Sequence, residues 1–383
     1  MAESIGKYRL LTELTTAGGG TCQWAMAEAA SGERVFIKKF LTPTYPKPDG
    51  PGSDKSKAKK RDRCEKFERH QHALTKRIRE VASSGGTLAV QIDFFRYGAH
   101  YYKVTEWIEN VGSDFDLSSK RMPDRLLVAV TAAKSIQTLH AANIVHGDLK
   151  PPNIMIRATD RSDSYSSRLI DFDSSYFSGE PPEPDDMIGD FVYYSPEVLR
   201  YVKEDDLVKP SELTIASDVF AAGLIFHQYL VGSFPAFDRE RFGTAAEALV
   251  AGGSLEVASE GIGRGLQGLL NGMLSKESGD RPSMLQVHQH IKELRRGPRG
   301  ATSESDAGSP IATPEPGAIK IRMHRDAKGT GEGADAAVED EEPVSPETEP
   351  TPRVKIRMRR SKPEPPAPRT TLKGKGLDIG EDS

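Results

Sequence analysis

The sequence predicts an α+β protein with two lobes, a β-rich N-terminal lobe and a larger α-helical C-terminal lobe, followed by a disordered tail. Three observations predict it. All of the 14 Phe, 2 Trp and 11 Tyr precede Gly297, so an aromatic-bearing core ends there. Twelve of the 26 prolines lie in 298–383, and a segment that poor in apolar residues cannot bury enough surface to offset its ordering entropy. Within the remainder the apolar period changes once, from alternation in short runs to helical spacing.

The elements follow in order. Runs of β-branched and aromatic residues at 8–14, 24–27, 34–40, 88–96 and 101–107 are bounded by Gly and polar residues. They read as five strands of an antiparallel sheet. A charged helical pattern at about 62–81 interrupts them, and 42–60 reads as an insertion. Helical patterns then cover 124–142, 216–231, 244–251, 262–275 and 283–296, with Ser217 and Ser283 as N-caps. Two short strands at 154–157 and 167–170 flank the turn-rich TDRSDSYS.

Composition narrows the class. Lys+Arg 52 against Asp+Glu 56 gives a net charge of −4, which argues against a nucleic-acid partner. Two cysteines, Cys22 and Cys64, exclude a disulfide scaffold and any multi-cysteine zinc module. The first residues lack the apolar stretch of a signal peptide. The most apolar helical stretch, 217–232, is interrupted by His227 and Gln228 and is too short to span a bilayer. A cytoplasmic protein with no membrane partner is expected.

The chemistry concentrates in His146-Gly147-Asp148-Leu149-Lys150-Pro151-Pro152-Asn153 and in Leu169-Ile170-Asp171-Phe172-Asp173. Phosphoryl transfer needs one carboxylate to orient and deprotonate a hydroxyl, and oxygen ligands to hold Mg²⁺ on ATP phosphates. HGDLKPPN resembles the HRDLKPxN catalytic loop of protein kinases, and IDFD resembles their magnesium-binding DFG. Val35-Phe36-Ile37-Lys38 resembles V-A-I-K, and Val104-Thr105-Glu106-Trp107-Ile108 resembles the hinge, with Thr105 as a small gatekeeper. Tyr194-Ser195-Pro196-Glu197 resembles A-P-E. Ser217-Asp218-Val219 resembles the helix that supports the catalytic loop, and Asp280-Arg281-Pro282 resembles the late arginine that pairs with Glu197.

The resemblance covers nearly all of 8–297 and is nearest to bacterial eukaryotic-like Ser/Thr protein kinases. It implies a kinase domain over 8–297, with an N-lobe at about 8–108 and a C-lobe at about 109–297. It implies ATP as cosubstrate with Mg²⁺, or Mn²⁺ in its place, and proteins as substrates. Asp148 would orient the acceptor hydroxyl, Lys150 would neutralise the moving phosphate, and Asn153 and Asp171 would hold the metal. Gly18, Gly19, Gly20, Lys38, Glu68 and backbone groups at Glu106 and Ile108 would bind ATP. Glu65 is nearly as good a helix glutamate as Glu68. Lys150 also points to Ser/Thr specificity.

Departures from the pattern carry expectations of their own. Counting back from Lys38, only Gly18 of the glycine-loop positions is in register. Gly147 replaces the Arg of most regulated kinases, which removes the partner of an activation-loop phosphate. Asp173 stands where DFG has glycine and would tolerate a left-handed backbone. It either hinders flipping of its loop or adds a carboxylate near the metals. A pseudokinase scaffold, binding partners through the fold and tail, is the alternative. The tail repeats Ile319–Arg325 (IKIRMHR) as Val354–Arg360 (VKIRMRR), each alternating apolar and basic residues. Such strips suit addition to a partner's sheet edge, and nearby Thr-Pro and Ser-Pro steps suggest a phosphopeptide reader or a phosphatase as partner.

Overall fold

The computed structural model describes residues 3–17, 22–82, 86–112, 115–159, 164–258 and 261–296. Gly18, Gly19 and Gly20 lie outside the described residues, as does all of 298–383 with its expected disorder and its two repeats.

Six strands make the N-terminal sheet: β1 (Ser4–Ile5), β2 (Tyr8–Leu10), β3 (Cys22–Glu28), β4 (Arg34–Phe40), β5 (Gln91–Tyr97) and β6 (His100–Glu106). Their spatial order is β1-β2-β3-β4-β6-β5, every pair antiparallel. The expected five strands become six because Ser4–Ile5 folds back on β2. That strand stops at Leu10, not 14, because the amides of Leu11 and Thr12 share the Met26 carbonyl and break the ladder. The Thr15–Trp24 bridge resumes it. In β4 the alternation sends Val35 and Ile37 into an apolar core with Ala25, Ala27, Tyr102 and Val104, and Lys38 to the opposite face.

Helix α1 (Asp54–Val81) begins eight residues before the expected 62, taking up part of the presumed insertion. Its first turns carry lysines and arginines and no apolar stripe, so the period becomes visible only later. Ser53 caps it, its hydroxyl accepting from Ser56 N at 3.3 Å. The buried face, Cys64, Gln71, Leu74 and Ile78, has helical spacing.

The C-terminal lobe runs α2 (Met122–Ala141), β7 (Ile144–Val145), β8 (Ile154–Ala158), β9 (Tyr165–Leu169), β10 (Tyr176–Phe177), α3 (Pro196–Val202), α4 (Ala216–Val231), α5 (Ala245–Val250), α6 (Arg264–Met273) and α7 (Met284–Arg296). Helix α4 is buried from Ser217 to His227 and forms the middle of the core with α2, α6 and α7. Ser283 acts as a cap, its hydroxyl accepting from Gln286 N at 3.4 Å while Gln286 Oε1 accepts from Ser283 N at 2.8 Å. Ser217 does not: it lies inside α4, and its hydroxyl donates to Glu197. Backbone hydrogen bonds of Thr87 and Ala89 to Leu169 join the segment before β5 to the end of β9. Among the described residues no helix is long and apolar enough to cross a membrane.

Candidate active site

The loop between β7 and β8 is built around one buried carboxylate. Asp218, 2% exposed near the start of α4, accepts from the backbone N–H of His146 at 2.7 Å and of Gly147 at 3.3 Å, and contacts His140 Nε2 at 3.0 Å. His146 donates Nε2–H to the Ile170 carbonyl (3.0 Å) and accepts Asp148 N–H at Nδ1 (3.3 Å), so both ring nitrogens are engaged in holding backbone. Gly147 has φ +77, and a Cβ there would come within 2.5 Å of the Ser174 carbonyl. The arginine found here in regulated kinases does not fit this backbone.

That scaffold aims Asp148. Its Oδ2 meets Lys150 Nζ at 2.7 Å and Asn153 Nδ2 at 3.2 Å, and its Oδ1 accepts from the backbone of Asp190 at 2.9 Å. Asn153 also donates to the Asp148 carbonyl at 2.7 Å, and its own carbonyl accepts from Ile170 N at 3.0 Å. The β8–β9 pairing therefore sets Asn153 beside the residue preceding Asp171.

Lys38 crosses to the same place. Its Nζ lies 2.8 and 2.9 Å from the two Asp171 oxygens and 2.6 Å from Asp173 Oδ2. Burial alone would push Lys38 towards the neutral amine, but the Asp173 and Asp171 carboxylates hold it above the ordinary lysine range. Asp173 Oδ1 also meets Lys103 Nζ at 2.5 Å. Burial opposes the Asp173 charge, and Lys103 and Lys38 outweigh it, holding its carboxyl well below the usual range.

Asp171 and Asn153 present oxygens of the kind Mg²⁺ takes, those of Asp171 now facing Lys38. The Asn153 amide nitrogen is spent on Asp148, which leaves its Oδ1 for a cation. Magnesium takes one or two such ligands and completes its shell with phosphates and water. Among the described residues no group of three or more His, Cys, Asp or Glu could hold a metal ion.

The segment after Asp173 is anchored by Glu197. Its two oxygens receive Arg281 Nη1 and Nη2 at 2.7 and 2.8 Å, and Ser217 Oγ donates at 3.1 Å. Burial would raise the Glu197 pKa, yet the Arg281 guanidinium keeps it lowered.

Several expectations need correction. Glu68 does not reach Lys38: it accepts from the Tyr101 hydroxyl at 2.5 Å, because Phe67 packs into the Phe40, Phe94 and Tyr101 cluster and turns Glu68 to that side. Glu65 is exposed, 4.0 Å from Arg69. Asp173 is not left-handed; that conformation belongs to Asp171, at φ +64. Glu106 ends β6 with its side chain held by both terminal nitrogens of Arg168, and Ile108 is buried just beyond. The sequence motifs assign no role to Lys103 or Asp190, and they do not show that Trp24 and Phe36 come together. These two aromatics stack at 5.4 Å on the Lys38 face of the sheet. A strand period of two from Thr105 would have placed Lys103 on the cleft face.

Comparison with known proteins gives the family. A family model described as the protein kinase domain matches residues 58–291, more than half of the chain. The chain belongs to the protein kinase family. The match begins inside α1, so Lys38 and the strands before it lie outside it. Calcium-dependent protein kinase 19 of Arabidopsis thaliana is 28% identical over 165 residues, 42% of this chain and 27% of its own length. Calcium-dependent protein kinase 21 of the same plant is 29% identical over 160 residues, 40% of this chain and 27% of its own length. Calcium-dependent protein kinase 4 of Plasmodium berghei (strain Anka) is 28% identical over 147 residues, 37% of this chain and 26% of its own length. The chain thus spans about a quarter of the length of these curated relatives.

Proposed function

We propose that the protein transfers the γ-phosphate of ATP to serine or threonine hydroxyls of other proteins. The observation that carries this is one connected chain of contacts. Lys38 binds Asp171; Ile170, just before it, is hydrogen-bonded to Asn153; Asn153 binds Asp148, and Asp148 binds Lys150. A scaffold that never handled phosphate would have no chemical need for all five in one place.

The base would lie against the half-buried Trp24–Phe36 stack, a planar apolar surface. Lys38 would hold phosphate oxygens, and Asp171 with Asn153 would hold Mg²⁺, which neutralises charge on the phosphates. Asp148 accepts the proton of the acceptor hydroxyl as its oxygen bonds to the γ-phosphorus and the bond to the ADP oxygen breaks. Lys150 stabilises charge on the phosphoryl oxygens in transit. The resemblance of Lys150 to the Ser/Thr-kinase lysine supports that acceptor class. The repeats in 298–383 would recruit substrates, or a phosphopeptide reader or phosphatase, and binding should be lost when that segment is deleted.

The test is transfer of labelled phosphate from ATP to itself, to generic protein or to a mixed lysate by full-length protein. Asp148→Ala and Lys38→Ala should each lose about a thousandfold or more in rate, the scale expected when a charged group is removed from a phosphoryl-transfer site. Wild type that transfers nothing to any of the three acceptors would favour the scaffold.

A further inference from the structure

Lys38 and Lys103 stand directly opposite each other on β4 and β6. Facing like charges on neighbouring strands repel, and Lys103 is only 6% exposed. The pair is tolerated because Asp173 sits between, with Oδ1 2.5 Å from Lys103 and Oδ2 2.6 Å from Lys38. The two glutamates that α1 could offer are turned elsewhere, Glu68 to Tyr101 and Glu65 towards Arg69.

The geometry points to Asp173 and Lys103 as positioning residues that hold Lys38 from within the sheet and the metal-binding loop, in place of a glutamate on α1. This rests on the phosphoryl-transfer reading of the site. The same short loop then carries the metal ligand, Asp171, and the anion that places the ATP lysine. Movement of α1 would leave Lys38 where it is. The helix is instead tied to the following segment through His70 Nε2, 2.9 Å from the Ser175 carbonyl. Beyond Thr105 the deep end of the cleft is lined by charge, with Lys103 on the same strand face as the gatekeeper.

The experiment compares Asp173→Asn, Lys103→Met/Asp173→Asn and Glu68→Gln in the full-length protein, by phosphate transfer at varied ATP and Mg²⁺ and by ligand-free melting temperature. Asp173→Asn leaves two lysines facing each other without their shared anion. It should lower kcat/KM for ATP by about a hundredfold, the scale of a misplaced positioning group, with the Mg²⁺ requirement unchanged. Removing the second lysine relieves the repulsion, so the double variant should recover at least about tenfold of that loss. Glu68→Gln should stay within about threefold of wild type, since its hydrogen bond to Tyr101 survives.

Three results would overturn the proposal: Glu68→Gln as damaging as Asp173→Asn, a double variant no better than Asp173→Asn, or a raised Mg²⁺ requirement in Asp173→Asn, which would make Asp173 a metal ligand. If wild type transfers no phosphate, the kinase activity fails as a reading, and the melting temperatures still decide this one. Asp173→Asn should then lower the melting temperature and the double variant restore it, whereas no change in Asp173→Asn would reject the clamp.

Discussion

Glu197 with Arg281 in the helical lobe, and Asp173 with its two lysines in the cleft, are both buried clusters of carboxylate and cation, yet their surroundings differ in kind. Arg281 spends Nε, Nη1 and Nη2 on the carbonyls of Ser275, Ala216 and Lys276 as well as on both Glu197 oxygens. Every partner comes from one lobe, and the guanidinium is pre-organised to satisfy them together. In the cleft the charges come from β4, β6 and the loop after β9, and Asp173 Oδ2 meets Lys38 by charge without a well-directed hydrogen bond. The first cluster staples one lobe to itself; the second joins the strands of the sheet to the loop after β9 through point charges.

The comparison is broken most forcefully at the staple. Glu197→Ala leaves Arg281 buried and unpaired and should cost about 3–5 kcal/mol of stability, read as a shift in the urea midpoint. The double variant Glu197→Leu/Arg281→Met should cost clearly less than the two single changes together, because no charge is left stranded. Additive losses would mean that the two side chains act independently and that the staple is misread.

A pH scan separates the clusters more gently. Glu197 and Asp173 are both held below their ordinary values of 4.5 and 3.8. Their stabilisation is complete above those values and is lost as pH falls through the lowered folded-state pKa. Lys38 is held above its ordinary 10.5, so its contribution is complete below that pH and is lost as pH rises through the elevated value. The staple therefore weakens only in acid, whereas the cleft weakens at both ends. Against wild type, Lys38→Met should lose part of the alkaline sensitivity above about pH 10.5, and Glu197→Gln should lose part of the acid sensitivity and none of the alkaline. An unchanged alkaline limb in Lys38→Met would show that Lys38 is not held by its carboxylates.

The two clusters also differ in how far they could be read beforehand. Glu197 and Arg281 each sit in a short ordered motif, and their pairing follows from it. The catalytic loop was legible for the same reason, as were the bounds of β4, whose alternation is clean. Lys103 was not, because a lysine inside a strand pattern reads as a solvent-facing residue until the register sets it opposite Lys38. For Asp173 the sequence offers a left-handed backbone, a hindered loop or an added carboxylate near the metals; the left-handed residue is two positions earlier, and the Asp173 carboxylate faces Lys38 and Lys103. Phe67 as an anchor of the helix to the lobe favours Glu68 over Glu65 as the helix glutamate, but an anchor says which way the helix faces, not which neighbour its glutamate meets. Tyr101, brought in by an aromatic cluster from another strand, won.

The segment between the clusters bears on whether either needs phosphorylation to assemble. Its hydroxyls are largely committed already. Ser175 is 1% exposed and donates to the His146 carbonyl at 3.0 Å, and Ser178 Oγ accepts from Ile215 N. Tyr193 donates to Gln228. Tyr194 is buried against Gly189, and burial, with the Asp148 and Asp190 charges, pushes its pKa up to about 12. A phosphate on any of these would have to displace packing that is already in place. Ser174 supplies its carbonyl under Gly147, where an arginine would otherwise have received a phosphate. Ser174→Ala keeps that carbonyl and should hold transfer within about twofold of wild type, as side-chain changes away from buried contacts usually do. Mass spectrometry showing Ser174 phosphorylated in the active protein, together with complete loss of transfer in Ser174→Ala, would mean that the cleft is assembled by modification and not by its own charges.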